Sequence, residues 1–139
     1  MSIKGTSYVL KKLKGISAKT RLEVQSSLAR NTTEILIEAQ DNTPFQTGNL
    51  WSSGDKDINL DTLTGKVFFG GDLAPYAPYV EFGTGEGFST DPSLVPYASQ
   101  FIKGPGRNAG PQAFLFPAFF KYRKIFLKDM RKIAKNIGK

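Results

Sequence analysis

Phe119, Tyr122, Phe126, Met130, Ile133 and Ile137 follow one another at intervals of three and four residues, which lays a continuous apolar stripe along one side of a helix. The helix is expected from about Ala118 to Asn136, and its stripe needs a second apolar layer to cover it. Most of the cations in this segment fall on the opposite side, so the element is an amphipathic basic helix.

The eight prolines and most of the 14 glycines lie between residues 43 and 117, so regular structure belongs to the two ends and turns to the middle. Residues 6–14, with Val9 and Leu13 four apart and Gly15 beyond them, form a short candidate helix. Ser17 suits the N-cap of a longer helix reaching about Asp41, with Leu22, Ala29 and Leu36 in one sevenfold row and Leu28 and Ile35 in the adjacent one. At 1.5 Å per residue this helix is roughly 35 Å long, more than a small domain needs, so part of it is expected to pack outside its own fold. Asn42-Thr43-Pro44 ends it, because the residue before a proline is pushed out of the helical region.

Thr47-Gly48-Asn49 reads as a turn and Leu50-Trp51 as the opening of an extended stretch. Ile58 and Leu60 alternate with polar neighbours, residues 61–65 can fold back, and Lys66-Val67-Phe68-Phe69 returns, which predicts a hairpin. Tyr76, Tyr79 and Val80 stand at helical spacing with prolines that a first turn tolerates, predicting one or two helical turns. Residues 84–110 have no sustained period and are expected as a long interaction loop. A chain of 139 residues without internal repeats is expected to form a single domain. No run approaches the roughly 20 apolar residues of a spanning helix, and the first five residues lack an export signal, so neither membrane insertion nor secretion is expected.

With no Cys and no His, the chain lacks thiolate nucleophiles, imidazole bases and the usual soft metal ligands. No metal and no cofactor is expected, and an enzyme is the weaker expectation. Gly83-Thr84-Gly85-Glu86-Gly87 and Gly104-Pro105-Gly106-Arg107 are glycine-rich, but neither has the spacing of a phosphate-binding loop. Asp55, Asp57 and Asp61 lack the turn glycine and closing glutamate of a calcium loop and read as a solvated strand edge. Glu81 is the only acid set among aromatics, where burial suits either a general acid or, as the preferred reading, a structural acceptor for backbone amides around Thr84.

The net charge of +7 is unevenly spread. Between Pro117 and Lys139 stand eight basic residues and one acid, residues 1–21 hold six cations and no acid, and residues 22–116 hold five cations and eleven acids. Basic ends and an acidic middle suit contact with nucleic acid, with an acidic partner, or between copies, the acidic middle of one facing the basic helix of the next. The plain alternative is that these lysines solvate helix faces.

Three segments together resemble a known family. Pro44-Phe45-Gln46-Thr47-Gly48-Asn49-Leu50 follows the long helix. Tyr76-Ala77-Pro78-Tyr79-Val80-Glu81-Phe82-Gly83-Thr84 is the most specific of the three, and Pro111-Gln112-Ala113-Phe114-Leu115-Phe116-Pro117-Ala118 leads into the terminal helix. In this order they are similar to the small tail-component, or tail-completion, proteins of long-tailed bacteriophages, the HK97 gene-product-ten-like family. Gln46 stands where that family usually has aspartate, and Ala113 where it has proline. The resemblance implies a non-enzymatic virion protein at the head–tail junction, or neck, a ring, usually a hexamer, that joins the tail tube to the head connector or stopper protein. Such a protein would be in the host cytoplasm during assembly and could touch packaged DNA non-specifically.

The expected fold is therefore α+β, a small mostly antiparallel sheet covered by the long N-terminal helix and the basic C-terminal helix. The candidate interface residues are Tyr76, Tyr79, Glu81, Phe82, Phe88, Arg107, Lys121, Lys124, Lys128, Lys132 and Lys135. The alternative function is a DNA-binding accessory protein using those five lysines, and a hydrolase using Glu81 ranks last.

Overall fold

The computed structural model describes residues 2–3, 17–44, 48–103 and 110–137. The candidate helix over residues 6–14, the turn residue Thr47 with Gln46 beside it, and Arg107 in its glycine-rich loop lie outside the described residues. The fold is α+β, and its described residues gather into two compact units. One draws on Met1–Ile37, Asp55–Phe68 and Ala118–Lys139, the other on Glu38–Gly54 and Phe69–Pro117.

In the first unit, strand β1 (Ser2–Ile3) pairs antiparallel with β3 (Thr64–Phe68), which pairs antiparallel with β2 (Asp55–Asn59), giving the order β1-β3-β2. The β2–β3 hairpin closes through residues 60–63, where the Asn59 Oδ1 accepts from the amides of Asp61 and Thr62 at 3.0 and 3.1 Å. Leu63 completes the turn at φ 53, a left-handed conformation unusual for a leucine, and its side chain is buried. Leu60, expected in the strand, sits in this turn with 42% of its surface exposed, because Asn59 ends the ladder.

Helix α1 (Ala18–Asn42) starts where the Ser17 hydroxyl accepts from the Thr20 amide at 3.2 Å. It begins in the first unit and ends in the second. Its buried positions are Val24, Ser27, Leu28, Asn31, Thr32, Ile35 and Ala39, so only one of the two sevenfold rows turns inward and Leu22 is 64% exposed. The rotation is set where α1 meets the sheet. Gly65 lies so close to the helix that a Cβ there would stand 2.2 Å from Thr32 Oγ1 and 3.3 Å from Leu28 Cδ1. Asn31 is tolerated in the buried row because its Nδ2 donates to the Ser27 carbonyl and hydroxyl within the helix. Arg21 and Gln25 donate to the carbonyls of Asp61 and Leu60, and Lys56 Nζ donates to Thr33 Oγ1, which hold the hairpin along α1.

The second unit is built from short helical pieces. Leu50-Trp51 does not open a strand: Gly48, at φ 70, starts helix α2 (Asn49–Ser52), whose last amides return to the Gly48 and Asn49 carbonyls at 2.9 Å. Helix α3 (Ala77–Phe82) falls where the tyrosine spacing places it. The expected long loop is instead a run of helical turns, with 3₁₀ turns at Gly85–Gly87, Pro92–Leu94 and Ser99–Phe101 and helix α4 at Val95–Ala98. Pro92 and Pro96 each stand in a first turn, where a missing amide hydrogen costs nothing. The Asp91 carboxylate caps the second of these turns, and donation from the Ser93 hydroxyl and amide holds its pKa below the usual aspartate value. Helix α5 (Phe116–Asn136) closes the chain.

Gly65→Ala is expected to destabilise the protein by about 2 kcal/mol, since the added methyl overlaps Thr32 at a packed helix–sheet contact. Urea unfolding should show the loss, and a second change, Thr32→Ala, should recover part of it.

Candidate functional site

The most specific motif and the one that leads into the terminal helix are separate in sequence and joined in space. Glu81, on the last turn of α3, is 5% exposed. Its Oε2 accepts from the amides of Phe114 at 2.8 Å and Leu115 at 3.0 Å, and its Oε1 accepts from the amide of Phe116 at 2.9 Å. Phe116 is the first residue of α5, so the carboxylate takes up amide donors that a helix start leaves without intrahelical partners. A negative charge at a helix N-terminus is favoured by the helix dipole, and three charge-assisted donors compensate its loss of water. Glu81 is thus a structural acceptor, but for amides 33 to 35 residues downstream rather than for those around Thr84.

Neighbouring groups strengthen the same joint. The Gln112 amide donates to the Val80 carbonyl at 2.8 Å, Asn42 Nδ2 donates to the Phe114 carbonyl at 3.4 Å, and the Phe69 ring meets Phe114 edge-on at 5.0 Å. Gly83 terminates α3 at φ 77 and ψ 178, a region that an L side chain disfavours. Beyond it, Phe82 is 2% exposed and lies among Tyr97, Phe101 and Phe116, with ring centroids 5.6 to 6.1 Å away. Tyr79 also meets Phe101 edge-on at 5.8 Å.

These positions reassign several candidate interface residues. Phe82 and Glu81 are buried and offer no surface from this chain, because the aromatic cluster and the amides enclose them. Tyr76, Tyr79 and Phe88 are half-buried. Lys121, Lys124, Lys128, Lys132 and Lys135 are all exposed on α5. At about 100° per residue they fall within an arc of about 80°, opposite the buried Phe126 and Met130. The glycine-rich run after α3 is no phosphate cradle: the amides of Gly83, Gly85, Gly87, Phe88 and Ser89 all donate to main-chain carbonyls. Asp55, Asp57 and Asp61 are exposed, and among the described residues no cluster of acids could hold a metal ion.

Two features were missed in the sequence. Tyr97 and Phe101 belong to the aromatic cluster, and their four-residue spacing behind Pro96 was the available signal. The second is an open groove of about 450 Å³ in the first unit, lined by Lys19, Leu22, Glu23, Arg30, Asp129 and Lys132 among others. Asp129, the only acid on α5, accepts there from Arg30 Nη2 at 2.6 Å and from the Ser27 hydroxyl at 2.8 Å. No helix among the described residues is long and apolar enough to cross a membrane. Compared with known proteins, the chain matches no family model, no curated protein and no solved structure.

Glu81→Gln keeps the shape but replaces one acceptor oxygen with an amide nitrogen facing backbone donors, and it removes the charge. A loss of about 3 kcal/mol is expected in urea unfolding. Glu81→Ala should cost at least as much, and a stability equal to the parent's for both variants would contradict the assigned bonds.

Proposed function

We propose that this chain is a structural virion protein of a long-tailed bacteriophage, a tail-completion or neck subunit that assembles into a ring between the tail tube and the head connector. The observation that carries the reading is the placement of Glu81. The one acid that the sequence offered for catalysis has both oxygens occupied by backbone donors, and it ties together two of the motifs on which the family resemblance rests. Motif residues that hold backbone in place fit a scaffold better than a reaction centre. The hydrolase reading loses its candidate residue for the same reason.

An assembling subunit also needs surface to share with its neighbours. Trp51, Leu73, Val95 and Tyr97 in the second unit are 42 to 54% exposed, and large apolar side chains so placed supply contacts between copies that salt does not screen. The outer face of the hairpin is a weaker match for a neighbour's basic helix. Asp55 and Asp57 point outward there, but Lys66 stands directly opposite Asp57 in the strand register and offsets part of the negative charge.

Negative-stain imaging and light scattering of the purified protein, alone and mixed with tail tubes, test this reading. Rings that persist at high salt and cap the tubes are expected, and Trp51→Ser with Leu73→Ser should disperse them while circular dichroism stays unchanged. A monomer at every concentration that never engages a tail tube would refute the proposal.

A further inference from the structure

We infer that the lysine face of α5 binds the phosphate backbone of duplex DNA without reading its sequence. The inference rests on Lys124, Lys128, Lys132 and Lys135, which are exposed and share one side of the helix. Their spacing of four, four and three residues extends about 16 Å along the axis, comparable to four or five successive phosphates of one strand. Lys121 continues the row, with its Nζ 5.1 Å from the Tyr122 ring centroid.

Three observations define the partner. The helix cannot turn this face inward, because Phe126 and Met130 are buried on the other side and Asp129 is held by Arg30 and Ser27. Asp129 is the sole acid of the helix, and that ion pair offsets its charge beside the row. In the groove next to Lys132, Lys19 stands with Glu23 and Arg30 with Asp129, so the groove adds no net negative charge beside the row. A row of like charges at near-regular spacing calls for a partner that is uniformly and regularly negative, which describes a polynucleotide backbone better than an acidic protein surface.

The same face argues for a duplex contacted at its backbone. Phe119 and Phe126 lie on the opposite side of α5, and the two aromatics nearer the lysines, Phe120 and Tyr122, are half-buried, so this face presents no fully open ring for stacking unpaired bases. The positions of the row are all lysine, and the exposed Arg131 and Asn136, which could read base edges, stand only at its margins. Lysine ammonium groups act as point charges, suited to phosphates and indifferent to sequence. The inference goes beyond the assembly reading and stands or falls separately from it.

Fluorescence anisotropy of the full chain with a labelled 30-base-pair duplex, titrated at several salt concentrations, tests it. Four phosphate contacts predict a slope of log K against log salt of about −3.6, and hence a loss of about 150-fold in affinity between 50 and 200 mM salt. Two unrelated duplex sequences should bind alike. The variant K124Q/K128Q/K132Q/K135Q should lose binding with its circular dichroism unchanged, and each single lysine change should lower the slope by about 0.9. Three outcomes overturn the inference: a binding constant insensitive to salt, binding that survives the fourfold change, or tighter lysine-dependent binding to polyglutamate than to the duplex at equal salt. Loss of rings with DNA binding retained would instead strike only the assembly reading.

Discussion

A buried carboxylate is tolerated only if donors replace the water it loses, and at Glu81 those donors are three consecutive backbone amides at the start of a helix. The second unit is organised by this requirement. To bring Glu81 to the amides of residues 114–116, the last turn of α3 must lie beside the segment that leads into α5. The Gln112–Val80 bond and the Phe69–Phe114 and Phe82–Phe116 ring contacts follow from that approach. Gly83 lets the chain leave α3 sharply, and the helical turns that follow return Tyr97 and Phe101 to cover Phe82.

The first unit depends on apolar packing and close approach. Gly65 brings β3 near enough to α1 for Thr32 and Leu28 to meet its backbone, and this contact decides which face of the helix turns inward. The polar residues in that face are managed locally, Asn31 by the preceding turn and Ser27 by Asp129. Asp129 in turn binds Arg30, so a bond that helps seat α5 also pairs the one negative charge of a cationic helix. The resulting lysine face is a by-product of how the helix is seated.

Much of this was legible in the chain. The end of α1, the hairpin, α3 and the span of α5 all agree with periodicity and proline placement to within a few residues. The helical turns between residues 85 and 101 were not legible, because each is too short to establish a period and the glycines between them read as loop. Leu50-Trp51 misled for a related reason: a turn closed by two backbone bonds leaves almost no pattern in side-chain polarity. Of the candidate interface residues, the lysines could be placed on a helix face from their spacing alone, whereas the burial of Phe82 could not, since Tyr97 and Phe116 reach it from distant parts of the chain.

The sequence by itself determined the elements whose order is local: helices wherever apolar residues recur at three and four, a hairpin between two alternating runs, and a lysine row on one side of the last helix. These follow from backbone geometry that repeats within a turn or a pleat. Only the tertiary structure decided what Glu81 bonds, which row of α1 is buried, and which aromatics close over Phe82. Each of those depends on groups more than ten residues apart arriving at one place, and no local period records where the chain returns.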